Sequence, residues 1–137
     1  ADVLFHIVND IERVGDHADN IAEISQFMED KKVKFTDDAT KELDTLFELA
    51  SKNFYDSITA LKTSDFELAA TITDREREIN ILEQNARNSH MVRLRSGTCS
   101  VEAGIYFLDI ISNLERISDH SINITEELGR MSGHVSL

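Results

Sequence analysis

The chain has 137 residues, enough for one domain around a single core, and its formal net charge of −12 excludes a phosphate-backbone binder, which needs a concentrated basic face. No apolar run approaches the roughly 18 residues of a membrane-spanning helix, and the sequence reads as having no secretory leader. The single cysteine, Cys99, has no partner for an internal disulfide, which suits a reducing, cytoplasmic setting.

With no proline and five glycines, long uninterrupted helices are favoured, and four are predicted in chain order. The first runs from Val3 to Glu29, with Leu4, Ile7, Ile11, Val14, Ala18, Ile21 and Met28 at three- and four-residue spacing. Residues 30–35 are lysine-rich and aperiodic and read as a connection. Thr36 with Asp37 and Asp38 opens the second helix, acids being favourable at the positive end of the dipole. Its buried stripe is predicted as Leu43, Phe47, Ala50, Phe54, Ile58 and Leu61. The short link Lys62-Thr63-Ser64 forces an antiparallel return, and Ser64 with Glu67 has the spacing of a capping box. The third helix carries Leu68, Ile72, Ile79, Leu82 and Ala86, with His90 at a packing position, and closes through Arg93, Arg95 and Gly97. Ser100 caps the fourth, whose stripe is Phe107, Ile110, Leu114, Ile117, Ile124 and Leu128; Gly129 and Gly133 mark its end, with a loose tail beyond. The fold class is therefore all-α, an antiparallel bundle of four long helices. Residues 1–137 are expected to form one domain, and a helical pattern already running at Ala1 leads us to expect a piece of a longer chain.

One acidic segment is written twice. ERVGDHADNIAE spans Glu12 to Glu23 and ERISDHSINITE spans Glu115 to Glu126, an offset of 103 residues, which points to duplication of a helical unit. At about 100° per residue, Asn9, Glu12, Asp16, Asn20 and Glu23 fall within roughly 80° of arc, almost opposite the apolar stripe. Ser112, Glu115, Asp119, Asn123 and Glu126 repeat the pattern. A solvated amphipathic face is the alternative reading, and three features weigh against it. Carboxylates one turn apart repel; the same pair, Glu12/Asp16 and Glu115/Asp119, recurs although the residues between differ; and Phe5 and Phe27 bound the first strip.

Metal ions are the natural occupant, since carboxylates one turn apart can ligate one cation or bridge two. Two acids leave most of a coordination sphere open, and the third helix offers Glu76, Asn80 and Glu83 beside its stripe, whereas Asp74 and Glu78 point the other way. His17 and His120 are turned about 100° from the aspartates before them and suit supporting or surface roles. Arg13 and Arg116 can pair with nearby acids, and His6 with Asp10 reads as incidental. Di-iron oxidase chemistry is disfavoured, because no Glu-x-x-His occurs and the paired acids face outward. No nucleophile or phosphate-binding glycine loop is evident, so the chain is not read as an enzyme.

The paired ERVGD and ERISD segments, each continued by His and then Asn-Ile, resemble the E/D-x-x-x-D signatures of PhoU-like domains, associated with phosphate uptake and its regulation. The resemblance covers nearly the whole chain. It implies that the last three helices form one complete three-helix repeat and that the first is the closing helix of a preceding repeat, with about two helices further upstream. It also implies a multinuclear iron or zinc cluster held through Glu12, Asp16, Glu115 and Asp119. A further signature on the middle helix falls at Glu76 and Asn80, where Asn stands in place of the family's acid. Two contexts follow from the family: a free-standing regulator working with the phosphate-specific importer and its sensor kinase, or a cytoplasmic domain behind a sodium/phosphate cotransporter. The run SHMVRLRSGTCSVEAGIYFLDIISNLERISDH (Ser89 to His120) resembles the second more closely. The partners implied are a transporter membrane domain or transport and sensor proteins, with no nucleic acid and no membrane insertion of this segment. Uncovered apolar helix surface leaves a homo-oligomer open. The rival reading from another class is a structural helical module whose acidic faces meet a basic partner.

Overall fold

The computed structural model describes residues 2–136, with side chains described as far as Met131. Four helices account for nearly all of it: α1 (Asp2–Lys31), α2 (Asp37–Thr63), α3 (Phe66–Arg95) and α4 (Val101–Ser136). The three turns share one chemistry. Lys32, Ser64 and Gly97 each adopt positive φ just past a helix end. The next amide in each case reaches back five residues, Val33 to the Met28 carbonyl at 2.9 Å, Asp65 to Ala60 at 3.0 Å and Thr98 to Arg93 at 3.0 Å, which satisfies otherwise orphaned carbonyls. New helices then start on side-chain caps: Thr36 accepts from the Ala39 amide and Ser100 from the Ala103 amide. The cap of α3 is Asp65, accepting from Leu68 at 3.0 Å, and not Ser64, which the left-handed turn of α2 has already claimed. Gly129 does not end α4, which runs on to Ser136.

The fold is the antiparallel four-helix bundle read from the sequence, with α4 as its shared helix. α2, α3 and α4 pack mutually, while α1 lies along α4 alone. Leu46, Ile72, Ile79, Phe107, Ile111, Leu114 and Ile124 are almost fully buried at the centre. Leu43 and Ala50 of the α2 stripe are buried as predicted, whereas the inward places expected of Phe47, Phe54, Ile58 and Leu61 fall one residue earlier. Leu43, Leu46, Ala50, Asn53, Ser57 and Ala60 face inward at alternating three- and four-residue steps, and Phe47 is exposed. Asn53 is tolerated there because its amide is used twice, donating to the Ile72 carbonyl and accepting from Arg75 at 2.8 Å, with Arg75 also paired to Asp56 at 2.8 Å.

The duplication written in the sequence is also geometric. His17 donates from Nδ1 to the Asn113 side-chain oxygen at 2.9 Å, and His120 donates from Nδ1 to Asp10 at 2.9 Å. Asn20 donates to Asn113 and Asn123 donates to Asp10. Each contact turns into the other on exchanging residues 103 apart, the signature of a local two-fold between α1 and α4. The two imidazoles stack across it, 5.9 Å between centroids. His120→Ala leaves the buried Asp10 carboxylate with only Asn123, and a loss of about 1–3 kcal/mol is expected, read as a lowered Tm. The relation also explains the bare side of α1. Leu4, Val8 and Ile11 are exposed, whereas Phe107, Ile111 and Leu114, their counterparts on α4, are at most 2% exposed under α2 and α3.

Candidate functional site

α3 presents one seam to its neighbours: Ile72, Glu76, Ile79, Glu83, Ala86 and His90, at alternating four- and three-residue steps. Two glutamates therefore occupy positions that packing would fill with apolar residues. Across from them on α4 stand Ser112, Glu115, Ser118 and Asp119. The Ser118 hydroxyl donates to Glu76, and Arg87 donates to Glu115 at 3.2 Å and to Ser112 at 3.4 Å. The α3–α4 groove thus collects Glu76, Glu83, Glu115 and Asp119 within electrostatic reach of one another.

The energetics of this groove are unfavourable for its charges. Burial, reinforced by Glu115, Glu76 and Asp119 and only partly offset by Arg87, pushes Glu83 up to about 8. Glu76 is raised by burial and by Asp119 and Glu115, against the hydrogen bond from Ser118. Asp119 is raised by burial and Glu115, against His120 and Arg116. Glu83 is 5% exposed and its Oε1 finds no hydrogen-bond partner among the described residues.

Of the donors offered by the sequence, Glu76, Glu83, Glu115 and Asp119 lie along the α3–α4 groove within electrostatic reach of one another. Asn80 is exposed at the rim, one turn from Glu76. Glu12 and Asp16 are exposed on α1, in the places that Glu115 and Asp119 hold on α4, with no helix packed beside them in the role of α3. On α4, Ser112, Asp119, Asn123 and Glu126 are exposed, as predicted for an outward face, and Glu115 is half-buried beside α3. Arg87, not Arg116, supplies the ion pair to Glu115. His17, His120, His6 and Asp10 all belong to the α1–α4 seam, His6 reaching Glu127 at 3.3 Å. Among the described residues, no three His, Cys, Asp or Glu side chains stand close enough to form a ready-made metal cage. The donor set nonetheless fits a cation: the acids are all oxygen donors, they repel one another, and one buried oxygen is left bare. Among the described residues no helix is long and apolar enough to cross a membrane.

The chain, a three-helix unit with an acidic groove and a two-fold seam between its last helix and α1, belongs to the PhoU domain family, whose model matches residues 43–128. Among curated proteins it is similar to the phosphate-specific transport system accessory protein PhoU homolog 1 of Thermotoga maritima, 34% identical over 120 residues, covering 88% of this chain and 51% of the relative. It is also similar to the phosphate-specific transport system accessory protein PhoU homolog of Xylella fastidiosa, 25% identical over 119 residues, covering 87% of this chain and 48% of the relative. The chain spans about half the length of the curated relatives it matches. No solved structure matches it.

Proposed function

We infer that this chain is a non-enzymatic regulatory module of phosphate transport that binds metal through its duplicated acids. Family membership supports the phosphate assignment. The relatives are named as accessory proteins of the phosphate-specific transport system, which favours the free-standing cytoplasmic regulator over the cotransporter-fused domain suggested by residues 89–120. Its partners are then the transport and sensor proteins of that system.

The observation that supports metal binding is that Glu76, Glu115 and Asp119 line one α3–α4 groove close enough to disfavour one another's charge. Such an arrangement costs stability unless a cation neutralises it. Glu76, Glu115 and Asp119 would hold the ion, with Asn80 at the rim, and Glu12 with Asp16 would form the corresponding pair on α1. An iron or zinc cluster bound there would supply a charge-dependent link between metal status and the shape of the acidic surface, which a partner protein reads.

Metal content of protein purified without chelator tests this. Bound iron or zinc is expected in the wild type and is expected to fall sharply in the Asp16→Ala, Asp119→Ala double variant. Equal content in both, or none in the wild type, would return the chain to the structural-module reading.

A further inference from the structure

Asn80 departs from the acidic signature at a position where the family pattern has a carboxylate, and the fold places another acid next to the gap. Glu83 lies three residues beyond Asn80 and seven beyond Glu76, so it shares the Glu76 face of α3 and points inward where Asn80 points out. Packing gives no reason for a carboxylate here. The same seam carries Ile72, Ile79 and Ala86, and any of these would bury without penalty.

Hydrogen bonding gives no reason either. Two buried carboxylate oxygens among the described residues lack a partner, Glu83 Oε1 and Glu127 Oε2. Glu127 has its charge met on the other oxygen, by Arg130 and by His6. Glu83 has no such ion pair among the described residues, since Arg87, four residues on, is committed to Glu115 and Ser112. A buried carboxylate within electrostatic reach of three other acids, with a bare oxygen and no ion pair among the described residues, lacks a compensating positive charge.

Resting on the metal-binding reading above, we propose that Glu83 is a ligand of the groove's metal, reaching it from the bundle seam and supplying the carboxylate that Asn80 does not. The α3 contribution is then Glu76 and Glu83, two turns apart, opposite Glu115 and Asp119.

The test is calorimetric titration of the chelator-stripped 137-residue chain with Zn2+ and, without oxygen, with Fe2+. Glu83→Gln keeps the shape and removes the charge, and affinity is expected to fall on the order of 100-fold, the upper end of what even outer metal-site partners cost. Adding Asn80→Asp to Glu83→Gln is expected to recover part of the loss by restoring the family's acid. Should Gln disturb the fold by circular dichroism, Glu83→Asp retains the charge but withdraws the oxygens, and a loss of about tenfold is expected. If Glu83→Gln binds within about twofold of wild type, Glu83 is no ligand and the groove reading stands without it. If the wild type binds neither ion, the ligand role falls together with the metal reading.

Discussion

Stripped of metal, the protein is expected to lose stability as the pH rises from about 5 to about 8. Glu83 keeps its proton up to about 8 in the folded state, whereas a glutamate in the unfolded chain ionises near its ordinary ~4.3. Between those values the folded state binds the extra proton. The contribution is therefore full below the lower value and is lost as the pH climbs through the upper one. Glu76 and Asp119, raised in the same direction, steepen the fall. The groups facing Glu83 are Glu76 on its own helix and Glu115 and Asp119 on α4, opposed by Arg87. The total is on the order of a few kcal/mol, a large part of what holds a domain of this size. Thermal melts in chelator at several pH values measure it. Glu83→Gln should flatten most of the slope, and Zn2+ added at the alkaline end should raise Tm by binding the folded state. A metal-free Tm that holds constant or climbs across the window would show that the groove carries no such strain.

Gly104→Val is expected to destabilise the bundle by about 3 kcal/mol, and the direction runs against helix propensity. In an exposed helix, replacing glycine with a residue that has a side chain ordinarily helps. Here a Cβ at residue 104 would meet the His90 ring at 2.5 Å (Cε1) and 3.2 Å (Nε2). The ring has little room to retreat. His90 is 3% exposed and stacks on Phe107 at 5.5 Å, and the Arg93 guanidinium, itself paired with Glu42 at 2.8 Å, lies 5.0 Å from the Phe107 ring centre. Burial, with the field of Arg93, also lowers the His90 pKa, consistent with a neutral packing histidine. Urea unfolding measures the effect. His90→Ala in the same chain is expected to relieve the clash, so Gly104→Val should cost less in that background than alone. Equal costs in both backgrounds would rule out the close approach as the cause.

Helix number, helix order and the duplication were legible without coordinates, because each is a local property of the chain. Apolar spacing of three and four, the absence of proline and the capping residues all act within a turn or two. Where local rules competed, residue type misled. Phe47, Phe54 and Ile58 promised a better buried stripe in α2 than Leu46, Asn53 and Ser57, yet the latter face inward. The partners of Asn53, Arg75 and the Ile72 carbonyl, lie on another helix, out of reach of any reading of α2 alone.

The acids divide along the same line. Glu12/Asp16 and Glu115/Asp119 stood out by repetition, and Glu76 by its place beside the stripe of α3. Glu83 was offered beside Glu76 and Asn80, but its burial was not legible, because flanking a stripe does not tell a rim glutamate from a seam one. Sequence by itself determined four helices, their turns and which residues are duplicated. The tertiary structure decided that α4 is shared by all the others, that Asp10 and the paired histidines form a two-fold seam, and that Glu83 is buried with an oxygen unsatisfied. The physical reason is that a helix's own periodicity states which side chains share a face. What covers that face, and at what dielectric cost, is set by neighbours that are remote along the chain.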